Sequence, residues 1–176
     1  VEHKDFAIWL VNRIQPKVVV DLGVDYGFST FCFALPNIGT VYGIDTFKGD
    51  IHAGIRNTYD EVINKINEFE FNNIEIIASD FNDAVKTWDK EIDILHIDGL
   101  HTFDAVKNDY ENWSKFVKED GIILMHDTEL HISGAQVKEF FNTIELPKAN
   151  FLNCNGLGVV SKNEDLINEI KEKFNI

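Results

Sequence analysis

The sequence predicts an α/β fold: a mostly parallel sheet with helices on both faces, closed at one edge by an antiparallel hairpin. Three observations carry the prediction. Short β-branched runs alternate with segments whose apolar residues recur at helical spacing. That alternation holds through residue 144, as expected for a parallel sheet covered on both sides. It then gives way to two strand-like runs separated by Asn155-Gly156, a dipeptide suited to a tight hairpin turn.

"KVVVDLG" (17–23) is a β-branched run ending in a turn, "FSTFCFAL" (28–35) reads as a helix, and "GTVYGID" (39–45) as a second strand. Tyr59, Val62, Ile63, Ile66 and Phe69 fall on one helical face. "NIEIIASD" (73–80) and "EIDILHID" (91–98) read as the third and fourth strands. Phe103, Val106, Tyr110, Trp113 and Phe116 form a long helical stripe before a fifth strand, "GIILMHD". "FLNCNGLGVVSK" supplies the hairpin, and a helix carrying Leu166, Ile170 and Phe174 follows. Residues 1–176 read as one domain, long enough to bury a substantial core. The chain starts at Val1 rather than methionine, which is compatible with a domain cut from a longer protein.

Hydrophobic residues make up 44% of the chain, and no apolar run approaches the roughly 20 residues that span a bilayer. The first residues mix acids and bases, unlike a secretory signal. Net charge is −14, from 16 basic and 30 acidic residues, without a basic cluster to offset it. Such a surface repels phosphate backbones and anionic membranes, so neither nucleic acid nor a membrane is an expected partner. Cys32 and Cys154 lack metal-site spacing and read as free thiols in a reducing, cytoplasmic setting.

In an open α/β sheet, ligands bind beyond the carboxyl ends of the strands. The first such end is "VVVDLGVDYGFST". Gly23 and Gly27 let the backbone turn tightly there, while Ser29 and Thr30 open a helix whose free N–H groups favour an anion. Asp45, with Thr46 beside it, ends the second strand and is placed to accept hydrogen bonds from ribose hydroxyls. A dinucleotide fingerprint wants glycine where Asp25 and Phe28 stand, and an aspartate beside a pyrophosphate is repulsive. A sulfonium cofactor without phosphate tolerates acids in that loop.

At these residues the chain resembles the class I S-adenosylmethionine-dependent methyltransferases, whose Rossmann-like seven-stranded sheet ends in such a hairpin. The resemblance implies that Asp21, Gly23 and Ser29 line the methionine end of the cofactor, that Asp45 holds the ribose, and that Ser79 and Asp80 border the adenine.

Asp98 and Asp127 terminate the fourth and fifth strands, neighbours in the expected order and therefore roughly 5 Å apart. Two carboxylates so close stay ionised when a cation lies between them, and oxygen ligands select a hard ion such as Mg²⁺ or Mn²⁺. Such an ion can hold a substrate hydroxyl and lower its pKa, and His101 lies where it can take the proton. The same acids also read as ordinary strand-end residues, with Asp127-Thr128 capping a helix after residue 132. His126 points away from Asp127 if the strand is regular there. His96, inside its strand, reads as a hydrogen-bonded core histidine.

"HIDGLHTFDAVKNDYENW" followed by "GIILMHDT" is similar to the family that groups with macrocin O-methyltransferase and cephalosporin hydroxylase-type proteins. That resemblance implies a metal-assisted O-methyltransferase with His101 as base, and a sugar or glycan hydroxyl as acceptor. In the more distant catechol O-methyltransferase pattern an asparagine follows the second aspartate; Thr128 stands there, so His126 or water takes the place of the third ligand. "DTFKGDIHAG" (45–54) crosses the carboxyl edge of the sheet and makes Asp50 and His52 substrate candidates. The alternatives are a catechol-like or other small-molecule acceptor, or a domain that binds S-adenosylmethionine without catalysing transfer. Enclosure of the acceptor falls to a second copy in a homo-oligomer, to a further segment of a multidomain protein, or to neither.

Overall fold

A computed structural model describes residues 3–51 and 54–176. The elements are α1 (His3–Ile14), β1 (Val18–Leu22), α2 (Phe28–Ala34), β2 (Thr40–Asp45), a short ribbon of β3 (Gly49–Asp50) and β4 (Gly54–Ile55), α3 (Tyr59–Glu68) and β5 (Ile74–Ala78). There follow α4 (Phe81–Ala84), β6 (Ile92–Ile97), α5 (Phe103–Trp113), β7 (Val117–His126), α6 (Val137–Thr143), β8 (Lys148–Phe151), β9 (Leu157–Val160) and α7 (Glu164–Phe174).

The main sheet has the order β5-β2-β1-β6-β7-β9-β8. Its first five strands are parallel; β9 runs antiparallel to both β7 and β8. The chain therefore reverses its direction of travel across the sheet between β1 and β6. At that point two strand ends open side by side, and a cleft forms. The central strands are mostly apolar, β6 being buried at every position. Such strands need cover on both faces. Phe6, Leu10, Cys32, Phe33 and Ile170 from α1, α2 and α7 pack on one side. Val106, Trp113, Phe140 and Phe141 from α5 and α6 pack on the other. No described helix is long and apolar enough to cross a membrane.

Three details differ from the sequence reading. Residues 3–14 form a helix that turns Phe6, Ala7, Leu10 and Val11 into the core. β7 begins at Val117 rather than Gly121. The terminal hairpin closes through residues 152–156, not a two-residue turn, with Cys154, Asn155 and Gly156 all at positive φ. The reason is tertiary. The Gly156 carbonyl accepts from the Asp127 N–H at 3.0 Å and the Asn155 carbonyl from the Glu129 N–H at 2.6 Å, so the loop folds back onto the segment leaving β7.

Candidate active site

The turn after β1 is shaped by close approach. Gly23 has φ +99, and a Cβ there would lie 2.0 Å from the Asp98 carbonyl oxygen at the end of β6. Only glycine lets the two strand ends meet. Gly27, at φ +89, is hemmed in by the Phe31 ring. Asp21 is fully buried, and both its oxygens are engaged. Oδ1 lies 2.7 Å from His96 Nδ1, and Oδ2 accepts from Ser29 Oγ at 2.8 Å and Thr30 Oγ1 at 2.5 Å. Asp21 thus stands beneath the cleft and aims Ser29, rather than lining the methionine end as the resemblance implied. His96 is the hydrogen-bonded core histidine expected of it.

Asp45, ending β2, accepts from the Phe47 N–H at 2.7 Å and the Asp25 N–H at 2.8 Å, so the main chains on either side hold its carboxylate still. Each carboxylate oxygen keeps a further lone pair for a ligand hydroxyl. Asp25, left without a role by the sequence, meets Arg56 across a 3.0 Å ion pair that ties the glycine loop to the segment after the β3-β4 ribbon. Thr46, Asp50 and Asp80 line the same cleft, together with Gly23 and Asp45. Asp80 also caps α4, accepting from the Asn82 N–H at 2.8 Å. Ser79 turns its hydroxyl to the Asp80 carbonyl and is not among the lining residues. His52 lies outside the described residues.

The cleft has a volume of about 730 Å³, a size suited to a nucleoside-sized ligand with room beyond it. A neighbouring cavity of about 440 Å³, walled by Phe6, Phe28, Phe33 and Leu157, shares Gly23, Asp25, Asp98 and His126 with it. The ends of β6 and β7 stand where the two spaces join.

At that junction His101 Nε2 lies 2.8 Å from Asp127 Oδ2 and 3.6 Å from Asp98 Oδ1. His126 Nδ1 lies 3.0 Å from Asp127 Oδ1, without hydrogen-bond alignment, and 3.6 Å from Asp98 Oδ1. The expectation that His126 and Asp127 diverge is corrected here. Asp127 has φ +64, held there by the Gly156 carbonyl, so strand alternation ends at His126 and both side chains enter the same cluster. Nor does Asp127-Thr128 cap a helix. The next helix starts at Val137, and the Thr128 hydroxyl donates to Asn150 Oδ1 at 2.6 Å.

Charge follows from this geometry. Burial disfavours a charged imidazole, but the bonds to Asp127 and Asp98 outweigh it and raise His101 to about 10. Burial would raise Asp127, yet His101 and His126 together hold it well below the usual carboxylate range. His126 is raised despite its burial, by Asp127 and Asp98. His3, at the start of α1, packs edge-on to His126 with ring centroids 5.3 Å apart; burial, reinforced by the charges of His126 and His96, lowers it to about 4. His101 is therefore a cation set between two anions at neutral pH.

Asp98, His101 and Asp127 each present a ligand atom, all within 4.8 Å of one another. Two carboxylates and an imidazole nitrogen fit a divalent ion, which would take the place of the His101 proton. His126 lies beside this trio as a fourth donor.

Residues 20–128 match the family model described as a methyltransferase domain. An uncharacterized protein of Sinorhizobium fredii, y4gI, is 32% identical over 171 residues, which cover 91% of this chain and 19% of that one. The chain thus spans about a fifth of that relative. Among solved structures, a putative caffeoyl-CoA O-methyltransferase from Staphylococcus aureus superposes with a TM-score of 0.70 at 16% identity, covering 90% of this chain and 83% of the other. The O-methyltransferase TomG of Streptomyces achromogenes, solved in complex with SAM, does so with a TM-score of 0.69 at 14% identity, covering 90% and 79%. At such identities these structures share the fold.

Proposed function

The chain belongs to the methyltransferase domain family that its residues 20–128 match, and from that premise we propose that it moves a methyl group from S-adenosylmethionine to a hydroxyl oxygen. The observation that carries this reading is the position of His101, between Asp127 and Asp98, in a cleft that it lines together with Gly23, Asp45 and Asp80. The sulfonium of the cofactor supplies an electrophilic methyl; every other requirement falls to the chain. Asp45, fixed by two main-chain N–H groups, accepts the ribose hydroxyls. Gly23, Ser29 and Gly27 shape the path of the methionine portion, with Asp21 anchoring the Ser29 hydroxyl. Asp98 faces the junction, where its negative charge favours a sulfonium and an ammonium group.

His101 takes the proton of the acceptor hydroxyl through Nε2, and Asp127 orients the ring and stabilises the imidazolium that results. The ring must first be neutral. It gives up its resting proton when a second cation shares Asp98 and Asp127 with it, because each added positive charge weakens the hold of those carboxylates on the proton. A divalent ion held by Asp98, Asp127 and His101 or His126 would contribute Lewis acidity, lowering the pKa of a coordinated hydroxyl. His101 Nε2 cannot ligate and accept a proton at once, so metal assistance assigns His126 or solvent to the remaining position.

The acceptor we propose is a neutral polyol, a sugar or glycan. Asp50, Asp80, Asp98 and Asp104 make the cleft wall predominantly anionic, Asp25 being paired with Arg56, which opposes a negatively charged acceptor and tolerates hydroxyl groups.

Calorimetric titration of S-adenosylhomocysteine, with and without Mn²⁺, tests the reading. Asp45→Ala should weaken binding at least about tenfold, while His101→Ala should leave it within about threefold and abolish methyl transfer to any accepted polyol. Absence of nucleoside binding by the wild-type protein sinks the proposal. Binding without transfer to any hydroxyl favours a cofactor-binding module instead.

A further inference from the structure

The cavity beside the cleft, about 440 Å³, is larger than the tail of an amino acid fills. Gly23, Ser29 and Asp98 on its wall belong to the cofactor reading above; the rest of the wall comes from α1, α2 and the hairpin. Folding leaves two features of that wall unexplained. Phe28, the first residue of α2, is 67% exposed and enters no ring pair among the described residues. It stands where a dinucleotide pattern wants glycine, and with most of its surface in solvent it adds little to the core. Tyr26 nearby is a different case, because the Arg56 guanidinium lies 5.4 Å from its ring centroid and engages it. The second feature is His3 Nε2, which is buried and makes no hydrogen bond among the described residues. Buried polar atoms are normally paired. The His3 ring packs against His126, which in turn lies 3.0 Å from Asp127. A bare aromatic face and an unpaired imidazole nitrogen thus line one cavity, a single ring away from the strand-end cluster.

We propose that this cavity takes the acceptor as a pyranose ring, with a C–H face of the sugar against Phe28 and a hydroxyl on His3 Nε2. The inference deepens the polyol reading above and rests on it. A pyranose is amphipathic: axial C–H groups gather on a face of the ring, while hydroxyls project around its edge. Those C–H bonds turn their positive ends toward the negative face of an aromatic ring. An imidazole nitrogen pairs with a hydroxyl as donor or as acceptor, according to tautomer. The hydroxyl that pairs with His3 relieves a buried nitrogen of its missing bond, a gain that a ligand without a hydroxyl there does not make. An open-chain polyol has the hydroxyls without the fixed C–H face. A catechol has a flat ring and no axial C–H groups.

The experiment is saturation-transfer NMR with calorimetry, in the presence of S-adenosylhomocysteine and Mg²⁺. The probes are the methyl pyranosides of glucose, galactose and mannose, with sorbitol and catechol as comparisons. At least one pyranoside should bind wild type about tenfold more tightly than sorbitol or catechol, and saturation should reach the C–H protons of one sugar face. Phe28→Ala should lose about tenfold of that affinity, while Phe28→Trp, which keeps a ring face, should retain it. His3→Ala should lose about fivefold. Denaturation midpoints report whether each variant folds, and the exposure of Phe28 makes its replacements mild ones. Pyranoside binding that is unchanged in Phe28→Ala overturns the inference. So does a wild-type preference for sorbitol, which leaves the polyol reading intact, or for catechol, which removes that reading as well. If the protein binds S-adenosylhomocysteine but none of these compounds, the pyranose inference and the polyol reading both fall and the cofactor reading stands. If it does not bind S-adenosylhomocysteine, all three fall.

Discussion

Asp127→Asn isolates the electrostatics of the strand-end cluster, because it keeps the shape and removes one anion. In the wild-type protein His101 titrates at about 10 against an ordinary 6.5. At ~1.4 kcal/mol per pH unit, that gap corresponds to about 5 kcal/mol of net preference for the charged ring, an upper bound because solvent reaches part of the site. Asp127 at 2.8 Å is the nearer carboxylate and Asp98 at 3.6 Å the further. Removing the nearer charge should lower the His101 value by roughly 2 pH units. The depression of Asp127 reports the same contact from its other side and adds nothing to the sum. The sign for stability follows directly. A raised folded-state pKa gives stabilisation that is complete below 6.5 and is lost as pH climbs through about 10. Wild type should therefore weaken over that window, and Asp127→Asn should be flatter across it. The assay is ring-proton NMR of His101 from pH 5 to 11 in the absence of divalent ions. Mn²⁺ titration in buffers of different ionisation enthalpy adds a second readout: about one proton released per ion at pH 7.5 in wild type, and roughly three-quarters of one in the variant, whose ring is less fully charged there. A wild-type His101 that titrates near its ordinary value, unmoved by Asp127→Asn, would refute the reasoning.

Two further outcomes follow from burial and from backbone geometry. Asp109 titrates at about 7 when folded, so its neutral form stabilises the protein below 3.8 and that contribution is lost as pH rises through about 7; Asp109→Asn should leave stability at pH 4 almost unchanged and raise it at pH 8 by up to ~4 kcal/mol, read by urea unfolding at both pH values. Gly23→Ala places a Cβ 2.0 Å from the Asp98 carbonyl at a φ that alanine disfavours, so it should cost ~3 kcal/mol or more in the same assay and weaken nucleoside binding; a variant as stable as wild type would show that β1 and β6 can separate there without loss.

The sequence by itself determined the alternation of strands and helices, the glycine turn after β1, and the acids that end β2, β6 and β7. These are local matters: β-branched runs, glycines where a turn must follow, and carboxylates at the ends of buried strands are all written within a few residues of one another. Tertiary structure decided what those residues face. Asp21 sits in a strand-end motif like any other, but it is covered on all sides because His96, Ser29 and Thr30 converge on it. His126 and Asp127 share a cluster only because a hairpin loop some thirty residues further on holds Asp127 at positive φ. Asp109 reads from sequence as one polar position on an amphipathic helix, and Asp25 as an acid out of place. The cleft exposure of the first and the Arg56 partner of the second come from segments that meet only after the sheet has formed. Local patterning specifies which elements exist, because backbone preference and burial period act over single turns and strands. The charge state of the site depends on distances of about 3 Å between residues far apart in the chain, and those distances exist only in the folded molecule.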